Sequence, residues 1–192
     1  MNPIKSLALP CLALFALSSL SAAVTSGPQV GTNVSEYIGR HVTGDAAGKD
    51  WCPVCHYGRV NSVQAWMHGE SMDNAGKIAQ KLEAEMKRVG KFKLRAFVVF
   101  QKPDSKTDAQ MTSELKAFAK KFGINQVSVM YVKAGKSGAA GINKINLTKA
   151  AKSTIFTYKA RKVLSNFVNL KTDAAGLAKL DKAVKAFQPV AK

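Results

Sequence analysis

From residue 63 onward the sequence switches repeatedly between two hydrophobic periods, and this alternation restricts the fold more than any single motif. Residues 63–67 form a short apolar stretch. Ile78, Leu82, Met86 and Val89 then recur at the spacing of one helical face, behind capping candidates Ser71 and Asp73. Residues 94–100 (LRAFVVF) are dense in β-branched and aromatic side chains, the composition of a strand covered on both faces. Pro103, Asp104 and Ser105 break that run, and Met111, Leu115, Phe118 and Phe122 mark a second amphipathic helix that Gly123 can close. Residues 127–132 (VSVMYV) read as another buried strand. A loop with Gly135, Gly138 and Gly141 and a short helical segment lead to two strands at 154–158 and 163–168, separated by a connection of hairpin length. Leu177, Leu180, Val184 and Phe187 give a closing helix, capped by Thr172 or Asp173.

Helices between successive strands imply parallel pairing with crossovers, while the closing hairpin adds antiparallel pairing at one edge. The expected product is an α/β fold, a mixed central sheet with helices on both faces. A length of 192 residues suits one domain, and 46% hydrophobic residues supply its core. Three cysteines are too few for a disulfide-dense scaffold.

The N-terminal residues read as an address. Lys5 precedes an apolar run at 7–20, interrupted only by Pro10, Cys11, Ser18 and Ser19, and Ser21-Ala22-Ala23 offers small residues to a peptidase. The run is shorter than the ~20 residues of a spanning helix. Residues 1–23 are therefore expected to be a signal peptide whose removal leaves no transmembrane anchor, and the mature chain is expected to be secreted or periplasmic. Residues 24–62 are rich in Gly, Ser, Thr and Asp and suit a loop with at most a short hairpin, whereas residues 63–188 carry the alternating pattern. Only Cys52 and Cys55 survive such cleavage, in an oxidising compartment where a disulfide persists.

Those cysteines stand in Trp51-Cys52-Pro53-Val54-Cys55. Together with the element order, and with LRAFVVFQKPD and TIFTYKARKVLSNFVNL in particular, the motif resembles the thioredoxin-like superfamily, in its redoxin and peroxiredoxin branch, over about residues 30–187. The resemblance implies a thioredoxin-like three-layer sandwich carrying a redox-responsive CxxC disulfide. It also implies exchange with a redox partner or protein disulfide, with Cys52 attacking and Cys55 resolving the mixed intermediate. An enzyme of this kind is a thiol-disulfide oxidoreductase that needs no cofactor. Lys49, His56 and Arg59 are nearby cations that favour a thiolate.

In the superfamily the active cysteine follows a central strand and sits at a helix N-terminus. Here the segment after the first clear strand is His68-Gly69-Glu70-Ser71-Met72-Asp73, without cysteine, and no proline lies near Ser153, where relatives place one facing the disulfide. The CxxC pair is thus displaced upstream. Either it lies at the opposite pole of the sheet or residues 56–62 bring it back to the usual one.

The same residues permit other chemistry. A Cys52–Cys55 bond also serves as a loop staple, without exchange. Cys52-Pro53-Val54-Cys55-His56 has the C-x-x-C-H pattern of covalent haem c attachment, with His56 as axial ligand and Met67, Met72 or His68 as distal candidates. A zinc site would draw on Cys52, Cys55, His56 and either His41 or His68, although no second CxxC or HxxxH spacing accompanies them. Ala134-Gly135-Lys136-Ser137 lacks the glycine that a phosphate loop needs five positions before Gly135. The 29 Lys+Arg against 12 Asp+Glu give a net charge of +17, which would attract a polyanion. Lysines dispersed over several helices, Lys81, Lys87, Lys116, Lys120, Lys179 and Lys182 among them, suit a plainly solvated basic surface as well.

Overall fold

The computed structural model describes residues 24–135 and 138–186. The expected signal segment lies outside the described residues, as does Phe187 of the closing helical pattern. In chain order the elements are β1 (Gly39–His41), β2 (Asp50–Trp51), α1 (Pro53–Tyr57), β3 (Ser62–Met67), α2 (Met72–Val89), β4 (Arg95–Lys102), α3 (Asp108–Phe122), β5 (Ser128–Lys133), α4 (Ala139–Ile142), β6 (Ser153–Lys159), β7 (Lys162–Val168) and α5 (Ala174–Lys185).

Among the described residues the strands form one sheet in the order β2-β1-β5-β4-β3-β6-β7. Strands β3, β4 and β5 are parallel, and α2 and α3 are their crossovers. β6 pairs antiparallel with β3 and β7 with β6, so the terminal hairpin extends one side as the sequence suggested. On the other side β1 and β2 form a short hairpin, and β1 pairs antiparallel with β5. The segment preceding β3 is therefore part of the sheet.

The period of two explains why the central strands are apolar throughout. In β4, Ala96, Val98 and Phe100 enter one core while Phe97 and Val99 enter the other; in β3, Val63, Ala65 and Met67 oppose Trp66 in the same way. The first core is closed by α2, α3 and α5 through Ile78, Leu82, Met86, Leu115, Phe118, Leu180 and Val184. The second is closed by α1, α4 and the N-terminal segment, through Val54, Ala140, Val34 and Tyr37. Helices thus cover both faces, in a three-layer sandwich. At the centre of the second core Gln64 accepts from Tyr37 Oη and Trp66 Nε1, both at 3.0 Å, and donates to Tyr158 Oη at 3.2 Å.

Local chemistry sets the helix ends. Ser71 caps α2 and Asp173 caps α5, each accepting from a backbone N–H in the first turn. Thr107 and Gln110 form a reciprocal capping box on α3, and Gly123 ends that helix in the left-handed conformation at φ 65°. The hairpin expected at 159–162 turns through Ala160 and Arg161, both with positive φ, which matches the twist of the flanking strands. Only α1 has no counterpart in the hydrophobic pattern. It begins with Pro53, whose fixed φ and missing N–H suit a first turn, behind Cys52 as the cap.

Candidate functional site

The direction of β3 defines two poles, and the cysteine pair lies at the end where β3 and β4 begin. Ser62 Oγ donates to the Tyr57 carbonyl at 3.3 Å and the Arg95 amide to the Asn61 carbonyl at 2.9 Å, so α1 sits directly ahead of both strands. The β6–β7 turn holds it there, with the Arg161 amide donating to the Gly58 carbonyl at 2.7 Å. Of the two paths the sequence left open for residues 56–62, the chain takes the one that keeps the pair at the opposite pole from the superfamily's usual site.

Cys52 and Cys55 are joined in a disulfide. Cys52 has extended backbone and its sulfur accepts from the Cys55 amide at 3.0 Å, as a cap side chain would. The two ends of the bond differ in access: Cys52 is 7% exposed and belongs to the second core, together with Val54, Trp66 and Phe97, whereas Cys55 is exposed on α1.

An aromatic and cationic rim borders the bond. The Trp51 ring lies 4.1 Å from the His56 ring and 5.5 Å from that of Tyr57, and the Arg95 guanidinium covers the other side of Tyr57 at 4.1 Å. Arg95 also donates to Asp45 at 2.8 Å, and that hydrogen bond holds the Asp45 carboxyl below its ordinary range. His41 is committed elsewhere, its Nδ1 2.6 Å from Ser128 Oγ and its Nε2 3.3 Å from the Trp51 carbonyl. Burial keeps its imidazole below the ordinary value, against the smaller opposing pull of that carbonyl. The cavity beneath Trp51, Tyr57 and Arg95 is only about 10 Å³, room for at most one water. Chemistry at this pole is therefore confined to residues at the surface, of which Cys55 is one.

The other residues singled out from sequence are dispersed. Lys49 lies in the β1–β2 turn and Arg59 just beyond α1, both exposed and, among the described residues, without ion pairs. Met67 and His68 end β3 at the far pole, and Met72 opens α2 there, so none of them joins Cys52, Cys55 and His56. Among the described residues no group of three or more His, Cys, Asp or Glu is placed to hold a metal ion. At that far pole Glu70 accepts from the Ser71 amide and Asn74 Nδ2, both at 3.0 Å, and from Ser153 Oγ at 3.3 Å. The His68 ring is largely buried there, and burial lowers its pKa against the smaller opposing pulls of the Ala151 backbone and of Glu70. A groove of about 890 Å³ between β1 and the start of α3 is lined by neither cysteine. Sequence reasoning missed Tyr57, Asp45 and Arg95; the one available signal was an arginine inside the otherwise apolar run LRAFVVF.

Fold and disulfide together define a thioredoxin-like α/β domain bearing a CxxC pair. Solved structures agree on that fold. A peroxidoxin of Mycobacterium tuberculosis matches over 83% of this chain and 98% of its own, at 13% identity and a TM-score of 0.59. A thiol peroxidase of Chromobacterium violaceum matches over 85% and 90%, at 10% identity and a TM-score of 0.56. BsSco, a Sco-family cytochrome c oxidase assembly protein with a disulfide switch, matches over 84% and 97%, at 12% identity and a TM-score of 0.55. No family model and no curated protein matches the sequence.

Proposed function

We propose that this protein is an exported thiol-disulfide exchange factor in which Cys55 is the entry sulfur and Cys52 the resolving one. The observation that carries this reading is the asymmetry of the bond, with Cys55 exposed on α1 and Cys52, at the cap of that helix, only 7% exposed. A partner's thiolate attacks Cys55 Sγ, the Cys52–Cys55 bond breaks, and its electron pair leaves on Cys52 Sγ. There the Cys55 amide, already 3.0 Å away, donates to the new thiolate and offsets the cost of burying it. The partner's second thiol then attacks its own sulfur in the mixed disulfide, releasing Cys55 as a thiolate and leaving the partner oxidised by two electrons. Reversed, the same steps pass those electrons to a disulfide substrate, with Cys55 attacking and Cys52 closing the ring. The two sulfurs carry both electrons, and no cofactor enters.

This polarity differs from the one the superfamily resemblance implies, in which Cys52 attacks. A protein disulfide is too bulky to reach a residue that is 7% exposed and belongs to the second core. Support for exchange as such comes from thioredoxin-fold neighbours named as a peroxidoxin, as a thiol peroxidase and for a disulfide switch. Export supplies the oxidising setting, and a mature N-terminus near Val24 checks it.

Trapping experiments test the reading. Cys52→Ser should accumulate a mixed disulfide through Cys55, because the resolving thiol is gone, and Cys55→Ser should accumulate little. The opposite result would return the attacking role to Cys52. The reduction potential should fall within about −120 to −270 mV, the span of disulfide oxidoreductases. A value below about −300 mV with no adduct from either variant would leave the bond as a staple.

A further inference from the structure

The connection from α2 to β4 carries the most exposed large apolar side chain among the described residues, Phe92, at 82%. It stands in Lys87-Arg88-Val89-Gly90-Lys91-Phe92-Lys93, with the Lys91 ammonium 5.8 Å from its ring centroid. Gly90, with φ 86°, turns the chain out of α2 and projects the following residues from the surface. This loop is at the same pole as the disulfide, and a continuous set of contacts joins them. His56 stacks on Trp51, Trp51 meets Tyr57, and Tyr57 lies under Arg95. Arg95 and Lys91 share the Asp45 carboxylate at 2.8 and 3.3 Å. An open groove of about 490 Å³ runs beside Phe92, floored by Met86 and flanked by Lys87, Lys91 and Arg95.

We propose that this band, from His56 past Trp51, Tyr57 and Arg95 to Lys91, Phe92 and Lys93, docks an acidic polypeptide segment that presents its cysteines to Cys55. The inference rests on the exchange reading above and names the partner's chemistry. Carboxylates of the segment meet Lys87, Lys91 and Lys93, and an apolar side chain packs in the groove against Phe92. Lys93 is exposed and is in no ion pair among the described residues, which leaves its charge to a partner. Two features favour a polypeptide over a nucleic acid or an anionic membrane. Asp45, 41% exposed between Lys91 and Arg95, interrupts the band with a negative charge, which opposes an unbroken run of phosphates but fits carboxylates spaced along a peptide. The band also ends on a disulfide, for which neither nucleic acid nor lipid brings a reacting group.

The test measures second-order rate constants for the reduced full chain with three oxidants: an acidic peptide containing a disulfide and a leucine, the same peptide with Asn and Gln for its acids, and hydroxyethyl disulfide. The acidic peptide should react about tenfold faster than its amide counterpart at low salt, and the preference should shrink at high salt. In Lys91→Gln/Lys93→Gln, and separately in Phe92→Ser, the ratio of the acidic-peptide rate to the hydroxyethyl disulfide rate should fall several-fold. These side chains are exposed, so folding survives the changes. Equal rates for the two peptides, or ratios unchanged in both variants, would overturn the docking surface and leave exchange standing. So would competition by a single-stranded oligonucleotide at lower concentration than the acidic peptide. No reaction of the wild-type chain with hydroxyethyl disulfide would instead remove the exchange reading.

Discussion

Reduction of the Cys52–Cys55 bond is expected to leave the protein folded and only modestly less stable. The bond spans a sequence separation of 3, so it closes a very small loop and removes little entropy from the unfolded chain. Loop-closure arithmetic for a ring of that size gives about 2 kcal/mol. For a domain of this length that amounts to a fall in Tm of roughly 4–8 °C. Contacts independent of the bond hold α1 in place: Val54 is fully buried, Arg161 donates to Gly58, and Arg95 covers Tyr57. The assay is thermal unfolding followed by near-ultraviolet circular dichroism, in oxidised and reduced protein and in the Cys52→Ser/Cys55→Ser double variant. The reduced wild type and the double variant should agree within a few degrees. Loss of the near-ultraviolet signal at 25 °C on reduction, or a drop well beyond 10 °C, would refute the reasoning, since a protein that unfolds when reduced cannot cycle between the two states.

Gln64→Leu should be costly although it enlarges no cavity: it strands the Tyr37 hydroxyl and the Trp66 indole N–H in the second core, at about 1–3 kcal/mol for each orphaned donor. Urea denaturation at constant m-value checks it, and a neutral result would mean that these donors find other partners. Acidification should also destabilise the protein. Burial depresses the pKa of both His41 and His68 below the ordinary histidine value of 6.5, so as pH falls through that value the unfolded chain takes up protons that the folded one does not. The stability these neutral imidazoles contribute is fully present above about pH 6.5 and is lost below it, towards their lower folded values. Denaturation midpoints at pH 7.5 and 5.5 should show the decline, and His68→Gln should flatten it; an unchanged slope in that variant would exclude His68 as a source.

The layered architecture was legible because it rests on short-range periodicity. A run such as 94–100 with apolar residues at every second position on both sides has no soluble conformation except a covered strand. The spacing of Ile78, Leu82 and Met86 places those side chains on one helical face wherever the helix lies. Helix ends were legible for the same reason, since Ser71, Asp173 and Gly123 act on backbone groups within a turn of themselves. The partnership of Cys52 with Cys55 is likewise local. Less visible was α1, whose five residues are too few to display a period.

The site's working features are not local, and only the tertiary structure decided them. Which pole holds the cysteines depends on β1 pairing with β5, a strand some ninety positions later, and on the β6–β7 turn reaching α1. The burial of Cys52 and the exposure of Cys55 follow from which side of α1 meets the second core. Asp45 and Arg95 gather beside Tyr57 because β4 starts where α1 ends, although they are 50 residues apart in the chain. Periodicity specifies which face of an element is apolar, because that is a property of consecutive residues. Accessibility and charge pairing at one end of a sheet arise from packing between distant segments, and no window of the sequence contains them.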